Sequence, residues 1–299
     1  MKKHILTIIT ILVLSVLLVV STTTAEQPAE VPAIFDDAAS HFLAEGEEPV
    51  ITDMSYNSQN LSIEITLSRE NRSDVYVADV WVRDLSLLRR GFGGGRYRGK
   101  MQKVATIAKQ ENAILALTGD NGHNFSKGVV FTNGELKRKT LNNKRDVCVI
   151  MMDGQMKVIK GKDLTKDVLG ELTGKVWQSF LFGPGLLDEE GHALTKFSTT
   201  GVNPANPRAV LGYDEPGHYC LVQIDGRGTK SKISGKNVGM KMTELAVFME
   251  GLGCKAAYNL DGGQSALMWF NGNVISTPYK GGRSVGDIIY LAESVKPAE

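Results

Sequence analysis

The sequence predicts an α+β fold with a mixed, largely antiparallel sheet flanked by helices. Apolar and polar residues alternate over several short stretches, which is the period-two pattern of half-buried strands. Asn133-Gly134, Asp153-Gly154 and Asn271-Gly272 separate such stretches and supply the residues that tight hairpin turns need. Helical periodicity is confined to a few short segments, so hairpins outnumber helices. The 32 glycines of this 299-residue chain fit the same turn-rich reading.

The N-terminus stands outside that fold. Lys2 and Lys3 precede an almost unbroken apolar run from Ile5 to Val20, and Ser21-Thr22-Thr23-Thr24-Ala25 supplies the small residues of a cleavage site. Residues 1–25 read as a secretory signal. The run is only slightly short of the about 17–25 residues that cross a bilayer, so an uncleaved membrane anchor is the competing reading. On either reading the rest of the chain works outside the cytoplasm, secreted or associated with the cell envelope. Residues 26–50, rich in Pro, Ala and acidic side chains, are expected to form a linker with one short helix.

Leu61 to Leu67 alternates as a strand, and Val75 to Val82 is its partner across a turn at Glu70-Asn71-Arg72-Ser73. A helix is predicted over Met101 to Glu111, with Met101, Val104, Ile107 and Ala108 on one face. Ala113 to Leu117 is a short buried strand. Val129 to Phe131, Val147 to Met152 and Met156 to Ile159 flank the next two hairpin turns, and Asp163 to Leu172 forms a second helix. Val210 to Tyr213 and Tyr219 to Ile224 are paired strands. Thr243 to Leu252 is a third helix with Gly253 at its C-cap. Ala256 to Leu260 and Asp287 to Leu291 close the chain as strands. Residues 51–104 thus carry N-terminal strands and a basic glycine-rich loop, and residues 105–292 form a single domain.

Composition narrows the function. Hydrophobic content of 42% and charged content of 22% describe a globular protein, and a net charge of +1 argues against a general nucleic-acid binder. Cys148, Cys220 and Cys254 are too few and too scattered for a disulfide scaffold and sit among apolar neighbours, so buried free thiols are expected. No C-x-x-C and no H-E-x-x-H occurs. The run Arg89 to Gly99 contains three consecutive glycines but no following Gly-Lys-Ser/Thr, so it is not a nucleotide-phosphate loop. It reads as a mobile basic loop, either simply solvated or in contact with an anionic polymer.

Polar side chains gather where strands end. Asp120, Asn121, His123 and Asn124 follow one strand; Asn203, Asn206 and Arg208 precede another; Asp225-Gly226-Arg227 ends a third. Taken singly, each cluster is also what a cap or a turn looks like. The fullest is Ala257-Tyr258-Asn259-Leu260-Asp261-Gly262-Gly263-Gln264-Ser265-Ala266, in which an apolar strand delivers one carboxylate to a two-glycine turn. Glycines there let a ligand approach backbone N–H groups closely, although an ordinary Asp-Gly hairpin has the same local pattern.

In order along the chain, Ala116 to Asp120, Gly128 to Gly134, Phe182-Gly183-Pro184, Asn206 to Gly212, Val222 to Arg227, Asn259 to Gly263 and Gly282 to Val285 resemble the motifs of the phosphodiester glycosidase family. Each is weak alone; the ordered set is specific. Two positions depart from the family pattern. Thr118-Gly119 stands where the family commonly has Asn-Gly, and Gly262-Gly263-Gln264-Ser265-Ala266 stands where it has Gly-Gly-Gly-Ser-Ser.

The resemblance implies hydrolysis at the anomeric carbon of a sugar-1-phosphodiester, such as an N-acetylglucosamine-1-phosphodiester. The setting it implies is a phosphorylated glycan, exopolysaccharide or cell-wall polymer of bacterial type. Ordinary glycosidases pair a carboxylic acid with a second carboxylate, but a phosphate monoester is a good leaving group and needs charge stabilisation more than protonation. Arg208 is then expected on the phosphate, where a guanidinium fork engages two oxygens. Asp261 is expected to activate water or stabilise the oxocarbenium-like transition state. Asp120 is expected to bind sugar hydroxyls or to act as a second carboxylate. Gly262, Gly263, Gln264, Ser265 and Asn259 are expected to bind substrate, with Asp225, Arg227, His218 and Arg283 as further substrate contacts. No cofactor is required on this reading. Ca²⁺ is an option because Asp and Asn oxygens in loops can ligate it, but no EF-hand pattern is present. The alternative is a non-catalytic envelope protein that binds anionic glycopolymers through the same pocket and the Arg89 to Arg98 loop; Gln264 and Thr118 are what would favour it.

Overall fold

A computed structural model describes residues 31–121, 125–197 and 200–293. The signal segment, the first residues of the expected linker, His123 and Asn124 lie outside the described residues. In chain order the first strands are β1 (Val50–Ile51), β2 (Ser55–Asn57), β3 (Leu61–Glu70), β4 (Ser73–Val82) and β5 (Leu88–Phe92). Helix α1 (Val104–Gln110) follows, then β6 (Leu115–Thr118), β7 (Gly128–Thr132), β8 (Glu135–Thr140), β9 (Val147–Met151) and β10 (Met156–Ile159). After α2 (Lys166–Leu172) come β11 (Val176–Phe180), β12 (Arg208–Glu215) and β13 (His218–Ile224). Helix α3 (Met242–Gly251) precedes β14 (Ala256–Asn259), β15 (Met268–Phe270), β16 (Asn273–Val274) and β17 (Asp287–Leu291).

These strands form a seven-stranded sheet in the order β1-β2-β3-β4-β13-β12-β14, a five-stranded sheet β16-β15-β6-β17-β5, a three-stranded sheet β10-β9-β11 and the pair β7-β8. Every ladder among the described residues is antiparallel. The expected single mixed sheet is therefore corrected to several antiparallel ones. Each hairpin turn named from the sequence joins neighbouring strands, because a two-residue turn leaves the chain no route except back alongside itself.

Layering follows from strand alternation. In β17, Ile289 and Leu291 enter the main core, while Ile288 and Tyr290 face Val104, Ile107 and Ala108 of α1. In β12, Ala209 and Leu211 enter that same core, where Leu221, Leu117 and Phe180 meet them, whereas Val210 packs with Leu245, Ala246 and Met249 of α3. The seven-stranded sheet thus packs on the five- and three-stranded sheets, with α3 and α1 covering the two outer faces.

Two parts of the chain depart from expectation. The supposed linker carries one short helical turn, Asp36–His41, as expected, but Phe35, Ala38 and Phe42 are buried in the main core. Apolar side chains spaced along an acidic segment are enough to dock it. The supposed basic loop begins as β5, an inner-face strand in which Leu88, Arg90 and Phe92 alternate inward. Cys148, Cys220 and Cys254 are all free and buried. Among the described residues no helix is long and apolar enough to cross a membrane.

Arg90 is the most costly residue in the interior. Its Nε donates to Asp287 Oδ2 at 2.6 Å, its Nη2 lies 3.5 Å from Asp120 Oδ2, and its Nη1 donates to the Ser179 carbonyl at 2.7 Å. Asp120 in turn accepts the Leu181 and Phe182 amides at 2.7 and 2.6 Å. One guanidinium and two carboxylates therefore fasten β5, β6 and β17 to the end of β11. Burial pushes both carboxyl groups upward in pKa against the pull of Arg90; the Asp287 charge raises Asp120 further, and the Asp261 charge raises Asp287. Replacing Arg90 with Met leaves two buried carboxylates without their cation and is expected to cost about 3–5 kcal/mol. Urea denaturation measures this, and a loss under about 0.5 kcal/mol, the range of an ordinary surface change, would contradict the role.

Candidate active site

The register of β12 against β14 builds the site. Val210 pairs with Asn259 and Leu211 with Tyr258, and the Leu260 amide donates to the Ala209 carbonyl at 2.8 Å. Extended by one residue, that register sets Arg208 opposite Asp261, and opposed residues of an antiparallel pair point to the same face. Both line a cavity of about 310 Å³, together with Asn121, Phe182, Asn206, Arg227, Gly262, Gly263, Gln264 and Arg283.

Asp261 is only 7% exposed. Its amide donates to the Gly119 carbonyl at 3.1 Å, which ties it to the end of β6. Its Oδ2 accepts from Ser265 Oγ at 2.7 Å and from Arg283 Nη2 at 3.0 Å, while Arg283 Nε donates to the same Ser265 hydroxyl at 2.5 Å. Ser265 thus locks one carboxylate oxygen and one guanidinium into a single arrangement. Thr118 Oγ1 donates to the Ser265 carbonyl at 2.6 Å and accepts the Leu267 amide at 3.1 Å, so this departure from the family pattern anchors the turn from below.

Arg208 is 2% exposed. Its Nε donates to the Met240 carbonyl at 3.0 Å, and its Nη2 to the carbonyls of Val202 and Pro204, both at 2.7 Å. No hydrogen bond occupies Nη1, and no carboxylate pairs with Arg208, among the described residues. Burial, reinforced by the nearby Arg227 charge, lowers its pKa to about 10. It remains a cation at neutral pH, held by carbonyls alone. Arg227 Nε is fixed by Asn206 Oδ1 at 2.9 Å, and its guanidinium lies over the Tyr279 ring at 5.4 Å. The Arg227 charge opposes that of Arg208, and Glu244 partly offsets it without forming an ion pair with Arg208 among the described residues.

The glycines are obligatory. A Cβ on Gly263, whose φ is 62°, would stand 2.9 Å from Arg227 Nη2, and one on Gly262 would stand 2.6 Å from the Pro207 carbonyl oxygen. The turn leaves no room for a side chain beside the Arg227 guanidinium and the Pro207 carbonyl.

Residues 106–292 match the phosphodiester glycosidase family, which is more than half of the chain. The chain belongs to that family. Its fold is similar to the catalytic domain of zebrafish N-acetylglucosamine-1-phosphodiester alpha-N-acetylglucosaminidase, auto-inhibited by its pro-peptide. The TM-score is 0.59 at 21% identity, over 78% of this chain and 83% of that one. A hypothetical protein from Synechocystis is similar at a TM-score of 0.53 and 14% identity, over 78% of this chain and 62% of that one. No curated protein matches the chain.

In this member of the family, several expected site residues are not brought to the cavity. Asp120 is buried below it, with its oxygens taken by the Leu181 and Phe182 amides. Asn259 is fully buried and donates to the Gly183 carbonyl at 2.8 Å, a link between β14 and the segment after β11. Asp225 is buried and accepts the Thr277 amide at 2.8 Å. His218 begins β13 whereas the cavity adjoins its far end, about 20 Å of strand away. There it contacts Asp79 at 2.5 Å and stacks on Trp81 at 4.0 Å. Ser265 is buried and acts through Asp261. Phe182, Gly201 and Val202 line the cavity without having been singled out as binding residues. Among the described residues no group of three or more His, Cys, Asp or Glu side chains could hold a metal ion.

Burial raises the pKa of Asp225 from 3.8 to about 6, against the Thr277 and Gln223 hydrogen bonds that lower it. A raised carboxyl pKa stabilises the fold below the unfolded value near 4, and that contribution is lost as pH rises through about 6. Asp225→Asn is expected to remove about 2–3 kcal/mol of the stability change between pH 4 and pH 7. Urea midpoints across that range test this; parallel curves for the two proteins would contradict it.

Proposed function

We propose that the chain hydrolyses the glycosyl bond of a sugar-1-phosphodiester, releasing the sugar from a phosphorylated glycan or cell-wall polymer outside the cytoplasm. The observation that carries this reading is the cavity's charge set. One carboxylate, Asp261, lies opposite a buried guanidinium, Arg208, that has no acidic partner among the described residues, with Arg227 beside it. An ordinary glycosidase site needs a second carboxyl group to protonate the leaving oxygen. No second carboxyl group is among the described residues that line this cavity. A departing phosphate monoester removes that need, and the arginines supply what it does require.

In this mechanism Arg208 Nη1 and Arg227 hold the phosphate, so the charge that develops on the leaving oxygen meets preorganised donors in a water-poor site. Asp261, oriented by Ser265 and Arg283, faces the anomeric carbon. It stabilises the oxocarbenium-like transition state and orients the attacking water. The Gly262-Gly263 turn brings backbone within reach of sugar oxygens, and Gln264 supplies an amide on the same wall. Water adds to the anomeric carbon, the carbon–oxygen bond to phosphate breaks, and the proton from water passes to solvent through the site. The named activity of the zebrafish enzyme, on an N-acetylglucosamine-1-phosphodiester, supports an N-acetylated hexose as the first sugar to try.

Purified protein incubated with sugar-1-phosphodiesters such as UDP-N-acetylglucosamine is expected to release free sugar. Asp261→Asn and Arg208→Ala are each expected to lower kcat/KM by about 10³-fold or more, with circular dichroism unchanged. Near-native rates in either variant would remove the assignment. Binding by the native protein with no turnover would favour the non-catalytic reading instead.

A further inference from the structure

A second cavity, of about 460 Å³, is lined by Phe125, Ser126, Lys127, Leu141, Asn142, Asn143 and Lys144. Among the described residues it is lined by two ammonium groups, two amides and an aromatic side chain, and by no carboxylate. Neither lysine pairs with an acid among the described residues. A larger concavity elsewhere, of about 700 Å³, mixes Lys157, Lys160 and Lys255 with Asp163, Asp188 and Glu190, so its charges offset one another. The one-signed character of the smaller cavity is thus not general to this surface.

This cavity is joined to the first through a single arginine. Arg145 Nη1 donates to the carbonyl of Phe182, a residue that lines the first cavity, at 3.1 Å. The same guanidinium lies 4.1 Å from the ring centroid of Phe125, which lines the second. Phe125 is held from the other side as well, because Arg138 Nη1 donates to its carbonyl and Arg138 Nε to that of Gly128 at 2.6 Å. Shared cavity walls and the two contacts of Arg145 give an order: Arg208 and Arg227 with Phe182, then Arg145, then Phe125 with Lys127 and Lys144. Cations suit phosphates, which Arg145, Lys127 and Lys144 can meet, and an aromatic side chain suits a sugar ring, which Phe125 supplies in the second cavity.

We infer that the substrate continues beyond the scissile phosphate as a phosphate-bearing saccharide or polyol chain. Its next anionic unit lies over Phe182 and Arg145 and enters the cavity between Lys127 and Lys144. This rests on the proposed hydrolysis and names the leaving group that it releases: an anionic oligomer rather than a small neutral alcohol.

Calorimetric titration of the full chain with a polyol-phosphate oligomer, and with glycerol phosphate as its monomer, tests the inference without requiring turnover. Native protein is expected to prefer the oligomer by about tenfold, the sum of two exposed ion pairs, and to lose that preference as salt rises. In Lys127→Ala/Lys144→Ala the preference is expected to fall to within about twofold. Phe125→Ala is expected to reduce it independently of charge. Equal binding of oligomer and monomer by the native protein, or an undiminished preference in the lysine variant, overturns the inference. The two readings fail separately. Oligomer preference without sugar release removes the hydrolysis and keeps the subsite; release from a short ester with no gain from length does the reverse.

Discussion

The site depends on one constraint, the register of β12 against β14. With Val210 paired to Asn259, a single arithmetic of opposed positions carries Arg208 and Asp261 to the end of the ladder on the same face. A slip of one residue would turn every side chain of the strand over, sending Arg208 into the apolar core and Val210 out of contact with α3. Burial of Ala209 and Leu211 on one face and Val210 on the other therefore selects the Arg208–Asp261 pairing as well as the packing. The stability of the core and the placement of the site rest on the same alternation.

Around that pair, neighbouring sheets contribute what β12 and β14 do not provide. The end of β6 gives the Gly119 carbonyl that holds the Asp261 amide, and the segment before β17 gives Arg283. Arg90, Asp120 and Asp287 join these ends from beneath. The arrangement separates two kinds of arginine. Arg90 is neutralised by carboxylates and binds sheet to sheet, whereas Arg208 is held only by carbonyls and keeps its charge for a ligand. Burying a guanidinium without an ion-pair partner costs stability, and on the proposed function the substrate's phosphate offsets that cost.

Much of this was legible in the sequence where the cause is local. Asn-Gly and Asp-Gly turns identified the hairpins, the apolar spacing of Leu245 and Met249 identified α3, and the strand-plus-glycines pattern pointed to Asp261. The rest depends on long-range burial. Asp120, Asp225 and Asp261 all follow apolar strands and look equivalent as text; only the packing shows that two of them are enclosed and one reaches the cavity. His218 lies close in sequence to Asp225, yet an extended strand carries neighbours apart and leaves it at the opposite end of β13. Arg90 was hidden inside a basic run, although Leu88, Arg90 and Phe92 already alternate as an inward face. The docking of Phe35 and Phe42 was obscured by the acidic composition around them.

The most direct test is a crystal structure of Asp261→Asn holding an uncleaved sugar-1-phosphodiester. The account predicts the phosphate against Arg208 Nη1 and the Arg227 guanidinium, with the anomeric carbon turned toward residue 261. A phosphate bound elsewhere in the cavity, with Arg208 untouched and the sugar facing away from that side chain, would contradict it.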